Sequence, residues 1–108
     1  MRDVLYAGDC AEAVMRSLEA TQLRTEVFNI GSGEALTVGS AVSAILAASG
    51  YRPSDIVFEK NAPVTVGYRV LDCAKAAQSL GWRARHSAKD GIEKTVQWWH
   101  EHKGWWKR

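Results

Sequence analysis

Phe28-Asn29-Ile30-Gly31-Ser32-Gly33-Glu34-Ala35-Leu36-Thr37-Val38 is the stretch on which the fold turns. Val27 to Ile30 is a brief aromatic and β-branched run between turn residues, the signature of a short strand. Downstream, Val38, Ala41, Val42, Ile45 and Leu46 recur at i, i+3, i+4, i+7 and i+8. That spacing predicts a helix over 38–49, with Thr37 as its N-cap and Gly50 as its stop. A Gly-Ser-Gly turn between strand and helix is also where a GxGxxG dinucleotide fingerprint would sit, and Asp55 lies at a suitable distance downstream. Three details oppose that reading. Leu36 stands where the third glycine would let helix and strand pack closely. Thr37 as the cap keeps the glycines away from the helix N-terminus, where the dipole favours phosphate. Glu34 would place a negative charge against a pyrophosphate. A tight turn is the better account.

Working outward, the same reasoning gives three more helices. One is expected from about Cys10 to Ala20, capped by Asp9, with Ala11, Val14, Met15 and Leu18 facing inward. A short one follows Asp72 and ends at Gly81, with Ala76, Ala77 and Leu80 inward. The last starts after Ser87, where Ser87 and Asp90 form a capping box. Its inward face is Ile92, Thr95, Val96 and Trp99, and Gly104 marks its end. Residues 4–6 and 56–58 read as further strands, and Val70-Leu71 as a single-bridge fourth. The expected fold class is therefore α/β (mixed α+β): a small sheet of three or four short strands packed with four helices. The order is β-α-β-α-β-loop-α-α, and residues 1–108 form a single domain. Asn61 to Gly67 is the one irregular stretch.

With 108 residues, 46% apolar and 24% charged, the composition is that of an ordinary globular domain. A formal net charge of +2 gives no electrostatic footprint for a nucleic-acid partner. No apolar run approaches the roughly 20 residues that span a bilayer, and no secretion signal opens the sequence, so a cytoplasmic location is expected. Cys10 and Cys73 have no metal-ligand spacing. Each follows an aspartate at a helix start, where a small buried residue is the expected role. His100-Glu101-His102 places its histidines two apart, on different sides of a helix, so no metal site is read there. Trp98, Trp99, Trp105 and Trp106 are four of the five tryptophans. They are more aromatic surface than one small core takes up, so part of it is expected at an interface.

Four local patterns, in order, resemble the C-terminal part of the extended short-chain dehydrogenase/reductase family, the NAD-dependent sugar-nucleotide epimerases and dehydratases. They are Arg2-Asp3-Val4-Leu5-Tyr6-Ala7-Gly8-Asp9-Cys10-Ala11-Glu12-Ala13, Phe28 to Gly33 with Leu36-Thr37-Val38, Leu71-Asp72-Cys73-Ala74-Lys75-Ala76 with Leu80-Gly81-Trp82, and Gly91 to Trp99. Together they cover nearly the whole chain.

The resemblance implies a substrate-binding portion without the catalytic parts. Family members hold NAD or NADP on an N-terminal Rossmann half and use a Tyr-x-x-x-Lys pair, in which the lysine lowers the tyrosine pKa for proton exchange. Four residues after Tyr6, Tyr51 and Tyr68 stand Cys10, Asp55 and Asp72, so that pair is not encoded. The chain alone is expected to have no catalytic residues, to bind no cofactor, and not to run the family reaction. Arg2 matches the arginine that reaches the sugar-nucleotide phosphates, a role suited to its planar, bidentate fork. The family's Arg-Pro-Gly-Asp-like clamp reads Ala62-Pro63-Val64-Thr65-Val66-Gly67 here, lacking its arginine and acid. Arg69 is the nearby substitute in a different register, and Asp72 is a further candidate contact that also suits a helix cap. Met1 immediately before the Arg-Asp motif suggests a separately made polypeptide. The face that a Rossmann half would cover then calls for a homo-oligomer or a Rossmann-domain partner.

Overall fold

A computed structural model describes residues 1–22, 24–59, 61 and 66–104. Four helices run Ala7–Glu19 (α1), Val38–Ser49 (α2), Ala74–Leu80 (α3) and Ala88–Glu101 (α4). Their ends follow local chemistry. Thr37 Oγ1 accepts from Ser40 N–H at 3.0 Å, and Gly50 closes α2 in the left-handed region at φ 69°. At α4, Ser87 Oγ accepts from Asp90 N–H while the Asp90 carboxylate accepts from Ser87 N–H, so the expected capping box is formed. The Ser87 contacts hold the Asp90 carboxyl below the usual carboxylate range.

The expected α/β class is overturned: among the described residues there are four helices and no strand or sheet. The chain runs extended between helices, and pairing is confined to two isolated bridges, Arg2 with Leu36 (antiparallel) and Arg2 with Arg69 (parallel). The physical reason is that β-branched and aromatic runs become strands only beside a pleated neighbour that covers them. Val27 is 80% exposed and Val57 83% exposed, so these segments have no such neighbour.

A second correction concerns α1. It starts at Ala7, and Tyr6 rather than Asp9 is its N-cap residue, with no side-chain cap. The stripe expected to face inward points outward: Ala11, Val14, Met15 and Leu18 are all exposed, Leu18 by 74%. The covered side carries Asp9, Glu12, Ala13 and Arg16 instead.

The core that does form joins α1 to α3. Ala13, Ala76, Leu80 and Trp82 are buried together, with Leu5, Ala20, Phe28, Ile30, Cys73 and Ala84 packed around them. Trp82 is 1% exposed and donates from Nε1 to the Asp9 carbonyl at 3.0 Å, so its one polar atom is satisfied. α2 lies against α4, yet none of its residues is buried. Of the expected α4 face, Ile92 is buried and Val96 half-buried, whereas Thr95 and Trp99 are exposed. The radius of gyration is 16.8 Å, against about 13 Å for a compact domain of this length.

Candidate functional site

Three segments converge on the first residues. Arg2 N–H donates to Leu36 O at 2.8 Å and Leu36 N–H returns to Arg2 O at 2.9 Å. On the other side, Arg69 N–H donates to Met1 O at 3.1 Å, and the N-terminal amine donates to Gly67 O. Arg2 and Arg69 are thus neighbours across a parallel bridge. Arg2 Nη1 donates to the carbonyls of Met1 (2.9 Å) and Val66 (2.6 Å). Arg69 is exposed, and its side chain has no partner among the described residues. Asp72 stands apart from this pair in role. Its Oδ1 accepts from Ala74 N–H at 2.9 Å at the start of α3, and its carbonyl accepts from Asn29 Nδ2 at 3.2 Å. In the Ala62 to Gly67 turn, positions 62–65 lie outside the described residues, as do Trp105, Trp106, Lys107 and Arg108.

Asp3 organises the glycine turn. Its Oδ1 accepts from both the N–H and the hydroxyl of Ser32 at 2.6 Å, and its Oδ2 accepts from Gly33 N–H (3.1 Å) and Leu71 N–H (3.2 Å). Partial burial works to raise the Asp3 pKa, but these donors outweigh it and hold the carboxyl below its ordinary value. A Cβ at Gly31 would lie 2.7 Å from Asp3 Oδ2, which is why glycine stands there. The amides that could cradle a pyrophosphate therefore already hold a fixed negative charge, and the turn does not fit a dinucleotide.

The segment that begins with Arg2 continues as Val4, Leu5 and Tyr6 into the wall of an apolar cleft of about 510 Å³, closed by Ile45 of α2 and by Ile92 and Trp99 of α4. Gly91 lets the segment approach α4, since a Cβ there would lie 3.0 Å from Tyr6 Cβ. Glu34 Oε2 accepts from Ala88 N–H at 3.1 Å, joining the glycine turn to the start of α4. The cleft suits an apolar group, whereas the two arginines suit an anion.

One cluster has no sequence signal. Asp9, 2% exposed, accepts from Arg85 N–H (3.1 Å), His86 N–H (3.0 Å) and His86 Nδ1 (2.8 Å). An ionised carboxylate only accepts, so the ring proton is on Nδ1. Burial works to raise the Asp9 pKa, but the His86 and Arg85 contacts prevail and hold it low. Arg16 ties the same region together, pairing with Glu12 at 2.8 Å and donating to Gly81 O at 2.9 Å. Apart from the Arg16–Glu12 pair, the contacts are 65 to 77 residues apart in sequence, beyond the reach of any local pattern.

The remaining candidates resolve simply. Burial, with the charges of Asp3 and Asp72, pushes the Cys73 thiol up. Cys10 is exposed, not the buried helix-start residue expected. His102 donates from Nδ1 to the Trp98 carbonyl at 2.8 Å and stacks on the Trp98 ring at 4.7 Å, while Glu101 accepts from Gln97. Among the described residues no group of three His, Cys, Asp or Glu side chains could hold a metal ion, and no helix is long and apolar enough to cross a membrane.

No protein-family model matches the chain. Individual proteins do. A putative UDP-glucose 4-epimerase of Methanocaldococcus jannaschii is 34% identical over 97 residues, 90% of this chain and 30% of that protein. A dTDP-glucose 4,6-dehydratase of Streptomyces antibioticus is 34% identical over 98% of this chain and 31% of its own length. Among solved structures, the UDP-glucose 4-epimerase of Thermotoga maritima with UDP-glucose superposes on 93% of this chain and 31% of its own, with a TM-score of 0.81 and 29% identity. The chain spans about 30% of the length of the curated relatives it matches, in their C-terminal part, and it belongs to the extended short-chain dehydrogenase/reductase family of sugar-nucleotide enzymes.

Proposed function

We propose that residues 1–108 act as one substrate-side unit that binds a nucleoside-diphosphate sugar, such as a UDP- or dTDP-sugar, in a cytoplasmic setting, and that this chain alone is not catalytic. The observation that carries the reading is the bridge that puts Arg2 and Arg69 on adjacent backbones. Two guanidinium groups there can grip a diphosphate from both sides. Arg69 is available as it stands, and Arg2 contributes the part of its fork not engaged by the Met1 and Val66 carbonyls. Asp72 serves the site through α3 and the segment around Asn29, by holding the residues next to Arg69 in place. No proton or hydride step is assigned to this chain, because the tyrosines lack lysine partners at the required spacing and the glycine turn holds Asp3.

The test is a melting series. Millimolar UDP-glucose or dTDP-glucose should raise the melting temperature, because a ligand that binds only the folded state stabilises it. Arg2→Ala or Arg69→Ala should remove the shift. A shift that survives both substitutions would overturn the reading.

A second reading, an assembly role without a ligand, is favoured by the exposed stripe on α1. A homo-oligomer and a Rossmann-domain partner are its two forms.

A further inference from the structure

The Asp9–His86 contact leaves one ring atom unused. His86 gives its Nδ1 proton to Asp9 Oδ1 at 2.8 Å, so the neutral ring carries its lone pair on Nε2. Nε2 has no partner among the described residues. No described side-chain nitrogen or oxygen is both buried and without a hydrogen bond, so Nε2 reaches solvent. The His86 side chain is 29% exposed, that of Asp9 3%. The Tyr6 ring, 4.9 Å away and tilted by 59°, supports the imidazole from one side. Asp9 is itself fixed, because its Oδ2 accepts from Arg85 N–H and His86 N–H.

A carboxylate held behind Nδ1 does two things for an electrophile that arrives at Nε2. It sets the tautomer, and it stabilises the positive ring that forms as the lone pair makes its bond. His102 is a reference within the same chain. Its Nδ1 also donates at 2.8 Å, but to the neutral carbonyl of Trp98. The two rings share a tautomer and differ in the charge behind it.

The surroundings favour an electrophile that carries negative charge. Arg83, Arg85 and Lys89 lie within three residues of His86, and all three are exposed. Arg85 is shared with Glu12 and Lys89 with Glu93, while Arg83 has no partner among the described residues. His86 also stands just before α4, whose N-terminal end favours anions. The nearby carboxylates of Asp90 and Glu34 are each held by donors, from Ser87 and from Ala88 N–H.

We propose that His86 Nε2 is a phosphoryl-acceptor site, positioned by Asp9, that takes its phosphoryl group from a donor with a phosphorus–nitrogen bond. With phosphoramidate, the Nε2 lone pair attacks phosphorus as the P–N bond breaks, and neutral ammonia leaves from the protonated amine. The phosphorylated ring keeps its Nδ1 proton and one positive charge, opposite the Asp9 carboxylate. No oxidation state changes.

The test treats the whole chain with phosphoramidate and follows each histidine by tandem mass spectrometry and phosphorus NMR. In the native chain His86 should be labelled about tenfold or more faster than His102, and through Nε2 alone. Urea should remove that preference, since unfolding separates residues 9 and 86. Asp9→Asn, shown to be folded by its melting, should slow labelling at His86 about tenfold and leave His102 unchanged, because the amide lacks the charge. Labelling of His86 no faster than that of His102, or linkage through Nδ1, would overturn the proposal. So would a folded Asp9→Asn chain labelled as fast as the native one. If that variant does not fold, the linkage and the urea comparison decide alone, and a preference that survives urea overturns the proposal.

Discussion

Helices α1 and α3 meet around Trp82 and Leu80, with Arg16 of α1 donating to the carbonyls at the end of α3, whereas α2 lies along α4 without burying one of its 12 residues. The first pair has the poorer apolar pattern on its contact side. α1 presents Asp9, Glu12, Ala13 and Arg16 there, and the polar groups work because each finds a partner: Asp9 with the 85–86 backbone, Arg16 with the end of α3, Glu12 with Arg16 and Arg85. The second pair has the cleaner stripe but leaves a cleft of about 510 Å³ between itself and residues 4–6. Satisfied polar contacts specify which faces meet, and an apolar stripe alone does not.

The largest test of this contrast is Trp82→Ala. Among the described residues it removes the one large side chain that is fully buried, together with its bond to Asp9 O. A loss of about 3–5 kcal/mol is expected in urea unfolding. Ile45→Ala, at a half-exposed wall of the cleft, should cost well under half of that. Equal losses at the two sites would erase the distinction.

Asp9→Asn comes next, with a loss of about 2 kcal/mol at neutral pH, because a hydrogen-bonded carboxylate is exchanged for an amide that turns one donor toward others. The folded pKa of Asp9 lies below its unfolded value. Its contribution is therefore fully present above the unfolded pKa, and it is lost as pH falls through the folded one. Acid titration of stability should show that fall in the native chain and a shallower one in the variant. Ser87→Ala is the smallest, about 1 kcal/mol for a lost N-cap. It should fray the start of α4, read as faster amide exchange at Asp90, without loosening the α1–α3 contact.

Much of the helix content was legible because caps and stops are local chemistry. Thr37 with Gly50 and Ser87 with Asp90 mark their helices as the spacing predicts. The family was legible for a related reason, since its motifs are short and their order survives. Which face of α1 points inward was not, because periodicity locates a stripe and says nothing of what covers it. The same limit produced the expected sheet: residues 27–30 have strand composition, but pairing depends on a neighbour that these residues do not name. In the candidate site, Arg2 was readable from its motif and Arg69 from its nearness to the altered clamp. The Asp9–His86 contact was not, since its partners are 77 residues apart and the motif that holds Asp9 points only to a helix cap.

The double bridge at Arg2 has a consequence for handling the protein. One peptide unit fastens the 31–36 turn on one side and the 67–71 segment on the other, while the adjacent Asp3 carboxylate clasps both. A cut between Asp3 and Val4 would release both moorings together, and the damage would surface around Leu36 and Leu71, far along the chain from the cut.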